Sequence, residues 1–247
     1  MAPPWPYPRW VAHRGAGKLA PENTLAAFRL GAAHGYRAFE CNVKLSADGI
    51  PFLLHDAMLE RTTNGSGRAG QQAWQALSQL DAGGWHSRAY AGEPLATLAG
   101  IAAFILANGF QLNIEIKPTP GQEQHTGRVV AEHAARLWAG QPVPPLLSSF
   151  SADALAAARE AAPDLPRALL LDSLPAGWQA QALRLGCEAV VTQHRLMDAG
   201  LLAQLRARQW RALAYTVNEP ADAQRLLALG IDGLITDAVD RFPPASA

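Results

Sequence analysis

Phe39-Glu40-Cys41-Asn42-Val43-Lys44-Leu45-Ser46, Ala47-Asp48-Gly49 and Ile50-Pro51-Phe52-Leu53-Leu54-His55-Asp56 follow one another without a break. Two β-prone runs flank an Asp-Gly pair, and glycine accepts the positive φ that a tight hairpin turn demands. The spacing therefore predicts two antiparallel strands. Side chains alternate across a strand, so Glu40, Asn42 and Lys44 share one face and Cys41, Val43 and Leu45 the other. An acid, an amide and a base on a strand that otherwise reads as buried are costly unless something binds there. The second run returns the chain and carries His55 toward the start of the first. The stretch is expected to be half of a site for a divalent metal and phosphate.

Upstream, residues 9–13 form a short apolar run ending on His13-Arg14-Gly15, a first strand and its loop. Pro21-Glu22-Asn23-Thr24 opens a helix with an acid and a proline in its first turn. Leu25, Phe28, Ala32 and Ala33 give that helix its apolar stripe, and Gly35 ends it. Downstream, residues 57–98 carry Arg61-Thr62-Thr63-Asn64-Gly65, a short helix near 74–80 and Asp81-Ala82-Gly83-Gly84-Trp85. Structureless loops of that length are rare inside compact domains, so the segment reads as an insertion packed over one end of the fold.

Beyond it the rhythm is regular. Strands are expected at 111–116, 146–149, 167–171, 189–192, 211–217 and 233–236. Helices are expected at 98–108, 126–139, 151–162, 176–185, 196–208 and 219–229. Val129, Val130, His133, Leu137 and Trp138 would share one side of the second of these. Ser151 is placed to cap a helix start, and Gly186 and Gly230 to close two helix ends. The tail from Pro243 is expected to fray. Of nine extended runs, the one after the Asp-Gly turn must be antiparallel. Eight remain, each followed by helical material, which specifies a (β/α)8 TIM barrel spanning residues 1–247 as one domain, with a β-hairpin and the 57–98 insertion after its second strand.

Hydrophobic residues make up 49% of the chain and charged residues 17%, enough apolar material for one large core. The formal net charge is zero, which argues against nucleic acid or an anionic membrane as the main partner and leaves room for a local anion pocket. Cys41 and Cys187 lie far apart and suggest no disulfide framework. No apolar run could span a bilayer, and the first ten residues lack the pattern of a signal peptide, so a cytoplasmic location is expected. The oligomeric state is left open.

Barrels of this kind place their chemistry at the C-terminal ends of the strands, where the polar clusters fall. These are His13-Arg14, Glu40 with Asn42, Glu115 with Lys117, Ser148-Ser149-Phe150, Gln193-His194, Tyr215 to Asn218 and Thr236-Asp237. Glu40, Asn42 and Glu115 offer only oxygen donors, which suit Mg2+ or Ca2+ rather than zinc. The competing reading pairs the two glutamates with Lys44 and Lys117 in ordinary salt bridges. His13 and His55 could exchange protons near neutral pH, whereas His34, His86, His125, His133 and His194 read as structural. Arg14 offers a bidentate fork to an anion, and Lys44 and Lys117 offer point charges. Phe150, Tyr215 and Trp85 would either wall a substrate pocket or pack in the core.

Taken in order, His13-Arg14-Gly15, Pro21-Glu22-Asn23-Thr24, Glu40-x-Asn42 with Asp48-Gly49, His55-Asp56, Glu60-Arg61-Thr62-Thr63-Asn64-Gly65 and Glu115-Ile116-Lys117 resemble the glycerophosphodiester phosphodiesterases, most of all the small cytoplasmic bacterial form. The resemblance implies a barrel enzyme that hydrolyses glycerophosphodiesters to glycerol 3-phosphate and an alcohol. It implies a divalent cation held by two glutamates and an aspartate, with Glu40 and Glu115 matching the glutamates and Asn42 standing where the aspartate belongs. It further implies His13 and His55 as acid and base, and Arg14 and Lys117 as phosphate ligands. In the family the glycerol hydroxyl is thought to attack phosphorus, giving a cyclic phosphate that water opens. An amide oxygen can still ligate a hard cation but brings no negative charge, so the metal should bind more weakly. Asn42 is compatible with a tolerated natural variant, a deliberate inactivating change or a weakened enzyme; the rivals are a barrel that binds glycerophosphodiesters without turnover and another phosphate-handling barrel, an isomerase or a lyase stopping at the cyclic phosphate.

Overall fold

A computed structural model describes residues 4–242 and residue 244 of the chain. The elements begin with β1 (Trp10–Ala12), α1 (Leu25–Ala33), β2 (Ala38–Leu45) and β3 (Pro51–Leu53), then α2 (Trp74–Leu77) and α3 (Leu98–Ala107). Four alternating pairs follow: β4 (Gln111–Ile116) with α4 (Glu123–Leu137), β5 (Leu146–Ser149) with α5 (Ala152–Ala161), β6 (Arg167–Leu171) with α6 (Trp178–Arg184), and β7 (Ala189–Gln193) with α7 (Ala199–Ala207). The last are β8 (Arg211–Tyr215), α8 (Pro220–Leu229) and β9 (Gly233–Thr236). Every strand but β3 runs parallel to its neighbours, and β1 pairs with both β2 and β9, so eight strands close into the expected barrel. β3 hangs antiparallel on the outer half of β2, with Val43 opposite Leu53 and Leu45 opposite Pro51.

Each strand buries both faces, as a barrel wall must. Cys41, Val43 and Leu45 join the apolar layer beneath the helices. The inward set at the N-terminal side is apolar, with Val11, Ala38, Leu170, Val191, Leu213 and Ile235 in one cluster. Two residues further along, the inward positions turn polar: Glu40 and Asn42 on β2, Asn113 and Glu115 on β4, and Ser148 on β5 are all buried. That change of polarity along the strands sets the floor of the site.

Three local expectations need correction. α1 begins at Leu25, because Thr24 holds an extended backbone and its hydroxyl accepts from Ala27 N. Pro21 and Glu22 therefore lie before the helix rather than in its first turn. α7 begins at Ala199, where Asp198 caps Leu201 N, and residues 194–196 form a separate 3-10 turn. α4 begins at Glu123; Val130 and Trp138 are buried and Val129 and Leu137 pack on the core as expected, but Thr126, Gly127, Ala131 and Ala134 complete the buried side and His133 lies half exposed. Small residues define that side because α5 packs against it at close range, with Ala154 O only 2.1 Å from where a Cβ on Gly127 would lie.

Residues 57–98 form α2 and two short 3-10 turns around a small apolar cluster of Phe52, Leu54, Leu59, Ala69, Leu77, Ala82 and Leu95. Arg61 ties this segment to Glu22, and Glu93 accepts from Ala26 N at the start of α1. The frayed tail expected from Pro243 lies outside the described residues, Pro244 apart. Among the described residues no helix is long and apolar enough to cross a membrane.

Candidate active site

A cavity of about 220 Å³ opens at the C-terminal mouth of the barrel. Eight of the eleven side chains singled out from the sequence line it: His13, Arg14, Glu40, His55, Glu115, Lys117, Phe150 and Tyr215. Asn42 and Lys44 lie fully buried beside it. A wider cleft of about 560 Å³ lies at the opposite end of the barrel, walled by Trp5, Tyr7, Trp210 and Arg211, and no histidine lines it.

The two histidines enter from different elements and are held alike. His13 follows β1, and its Nδ1 lies 2.6 Å from Oδ1 of Asp237, just past β9. His55 follows β3, and its Nδ1 lies 2.7 Å from Oδ1 of Asp56. In each ring the aspartate engages Nδ1 and leaves Nε2 for the cavity; His13 Nε2 stands 3.7 Å from Glu40. Their surroundings push the rings apart in acidity. Burial opposes a charge on His13, yet Glu40 and Asp237 outweigh it and raise its pKa. Burial lowers that of His55, and Arg14 and Lys117 add to the effect against the pull of Asp56. Asp56 is itself held ionised by Arg61, which grips both of its oxygens.

The His13-Arg14-Gly15 turn is strained in a useful way. Arg14 adopts φ 51°, rare for a side chain of its size, and this aims its backbone N–H at Oε2 of Glu40, 3.0 Å away. Its guanidinium donates to Glu22 at 2.9 Å, while Nε is buried without a partner. Gly17 permits the turn to press on the end of β9: a Cβ there would lie 2.1 Å from Asp237 O. The contact brings Asp237 to His13 across 224 residues of sequence.

Asn42 does not stand as the sequence reading supposed. Its Nδ2 donates to Oε1 of Glu40 at 3.1 Å and to Oε2 of Glu115 at 2.8 Å, so nitrogen rather than oxygen faces the carboxylates. The amide oxygen points the other way and accepts from Asn23 Nδ2 at 3.0 Å. An N–H donor cannot ligate a cation, and Mg2+ or Ca2+ wants several oxygens. Among the described residues no group of three or more His, Cys, Asp and Glu side chains is gathered to hold a metal ion. As this chain arranges them, Glu40, Asn42 and Glu115 do not fit a three-oxygen cation site.

The lysines divide. Lys117 Nζ bonds Glu115 Oε1 at 3.0 Å and lies 5.4 Å from the centre of the Phe150 ring, at the cavity wall. Lys44 does not pair with Glu40. Its Nζ donates to Lys117 O at 3.0 Å and approaches His55 O at 3.5 Å, tying together the two segments that carry those residues. Burial, with Lys117 nearby, holds its pKa down to about 8. Phe150 and Tyr215 meet edge to face at 5.8 Å on the wall, whereas Trp85 is anchored on Ala82 O away from the cavity.

Four participants carry no role in the sequence reading, though three of them stand in motifs it names. Asp56 and Asp237 orient the histidines, Asn23 orients Asn42, and Asn113 lines the cavity with an Nδ2 that has no partner. Asn113 was signalled by its place two residues before Glu115 on one strand face. Asp237 was visible as a strand-end acid, but its partner depends on closing the ring.

Known proteins resemble this chain in sequence and in fold. The sequence pattern of the glycerophosphoryl diester phosphodiesterase family matches residues 13–241. The chain is 31% identical over 232 residues to a glycerophosphodiester phosphodiesterase of Caldanaerobacter subterraneus, spanning 92% of this chain and 93% of the relative. Its fold superposes with a TM-score of 0.88 on an Oleispira antarctica phosphodiesterase solved with the product sn-glycerol-3-phosphate, at 33% identity over 97% and 95% of the two chains. A glycerophosphodiester phosphodiesterase from Agrobacterium tumefaciens follows at 0.80, with 25% identity over 96% and 99%. With that pattern running from the end of the first strand to beyond the last, and a relative aligned nearly end to end, the chain belongs to the glycerophosphoryl diester phosphodiesterase family.

Proposed function

We propose that this chain hydrolyses glycerophosphodiesters to glycerol 3-phosphate and an alcohol, with His55 as the first base and His13 as the first acid. The observation that carries the reading is the pair of aspartate-held imidazoles on one cavity, one raised and one lowered in pKa. Titratable groups driven apart by their surroundings mark an acid and a base. The product bound to the Oleispira antarctica relative supports the substrate class.

In the first half-reaction neutral His55 takes the proton of the glycerol hydroxyl as that oxygen attacks phosphorus. The bond to the alcohol oxygen breaks, and His13 gives its Nε2 proton to the leaving alkoxide. A cyclic phosphate results. In the second half, His13, now neutral, takes a proton from water as it attacks phosphorus, the ring bond between phosphorus and the glycerol oxygen that attacked first breaks, and His55 returns its proton to that oxygen. Arg14 and Lys117 face the non-bridging oxygens and offset the charge that grows on them. Asp56 and Asp237 keep the rings oriented through both halves. The Mg2+ or Ca2+ implied by the resemblance enters none of these steps.

The experiment is phosphorus NMR of product from glycerophosphocholine and glycerophosphoethanolamine, with wild type, His13→Ala and His55→Ala. Glycerol 3-phosphate is expected from wild type, with losses on the order of a hundredfold or more in each variant. Cyclic phosphate as the end product, binding without turnover, or losses under about tenfold in both variants would refute the reading.

A further inference from the structure

Glu40 and Glu115 are 3% and 8% exposed and share one wall of the cavity. Two buried carboxylates side by side are costly unless something positive or hydrogen-donating bridges them. Here every one of their four oxygens already receives an N–H. Glu40 Oε2 accepts from Arg14 N, and Glu115 Oε1 from Lys117 Nζ. The remaining two oxygens, one on each glutamate, both accept from Asn42 Nδ2.

The orientation of that amide follows from a group that cannot be reversed. The backbone N–H of Asn42 can only donate, and it donates to Asn23 Oδ1 at 3.1 Å. Asn23 Nδ2 is thereby turned to the Asn42 side chain and must meet its oxygen. Asn42 Nδ2 is left facing the glutamates. Turning either amide over would set N–H against N–H inside the barrel and break the bonds that Asn42 Nδ2 makes to both glutamates or the one its backbone N–H makes to Asn23. Asn23 is held for this task at φ 61°, a conformation that asparagine tolerates better than most residues.

We propose that this centre works without a resident divalent cation: the Asn42 carboxamide bridges Glu40 and Glu115, and the charge of the phosphodiester is met by Arg14 and Lys117. The bridge satisfies the carboxylates by itself and keeps Glu115 paired with Lys117. Two donors on the cavity are left for the ligand, Arg14 Nε and Asn113 Nδ2, both buried and without partners. They suit the oxygens of a phosphate or a glycerol hydroxyl. The assignment of charge to the substrate rests on the phosphodiesterase reading, whereas the bridge does not.

The test separates the two. Mg2+, Ca2+ and Mn2+ are each titrated calorimetrically into chelator-stripped wild type, Glu40→Gln and Asn42→Asp, and turnover of glycerophosphocholine is followed in excess chelator. No saturable cation binding to wild type is expected, with turnover in chelator within about twofold of that with added cation. Asn42→Asp exchanges the inward N–H donor for an oxygen, and should gain cation affinity on the order of tenfold or more and become chelator-sensitive. One cation per chain bound by wild type and lost in Glu40→Gln overturns the proposal, as does turnover abolished by chelator and restored by cation. Should Asn42→Asp fail to fold, the wild-type titration decides alone. Wild type with neither turnover nor cation binding would refute the phosphodiesterase reading and still support the amide bridge.

Discussion

Replacing Asp237 by Asn probes the acid end of the proposed reaction with one atom changed. Asp237 Oδ2 accepts from Asn218 Nδ2 at 3.0 Å, and the Asn218 oxygen is already committed to Asp237 N at 2.9 Å. The new amide must therefore keep its oxygen for Asn218 and turn its NH2 to His13. His13 Nδ1, now beside a donor, becomes an acceptor, and the imidazolium loses both the hydrogen bond and the nearby charge. A hydrogen bond to a charged group is worth about 1.5–3 kcal/mol, which corresponds to roughly 10- to 100-fold in kcat/KM. The sign follows from the shift. His13 stays protonated above the ordinary histidine range because Glu40 and Asp237 overcome the effect of burial, so removing Asp237 makes the acid disappear at lower pH. The loss should be largest at alkaline pH and shrink toward acid. The assay is kcat/KM for glycerophosphocholine from about pH 5 to about pH 9, with thermal melting to show that the fold is kept. An equal loss at every pH, or an unmoved alkaline limb, would refute the role given to Asp237.

Gly127→Ala puts a methyl group 2.1 Å from Ala154 O between α4 and α5, and neither residue lines the cavity. Overpacking of this kind costs about 1–3 kcal/mol, and at this chain length each kcal/mol is worth roughly 2–4 °C. Melting temperature should fall by several degrees while kcat holds; an unchanged melting temperature would show that the helices part freely. Phe150→Ala removes the exposed ring that faces Tyr215 and Lys117. A cation–π contact at such a site is worth about 0.5–1 kcal/mol, so KM should rise a few-fold with kcat nearly constant, and a collapse of kcat would place Phe150 in the chemistry instead.

Most of the barrel was legible because it repeats. The Asp-Gly turn singled out β3 as the antiparallel run, and each other strand before β9 leads into a helix that returns the chain to the start of the next, β2 by way of β3 and the insertion. Helix starts were less legible, since Thr24 and Asp198 act through side-chain bonds that compete with apolar spacing. In the site, alternation along β2 correctly set Glu40, Asn42 and Lys44 facing inward, but facing does not fix bonding. Lys44 is long enough to pass the carboxylates and reach two carbonyls. The turn of the Asn42 amide depends on Asn23, a loop residue whose contact no periodicity reports. Asp237 meets His13 only because the last strand closes on the first.

The assignment of acid and base rests on His13 and His55 holding different protonation states across one cavity at the same pH. Nitrogen-15 NMR titration of both imidazoles in the wild-type chain measures this directly. His13 should lose its proton above the ordinary histidine range and His55 below it. Two rings that titrate together, or in the reverse order, would contradict the account.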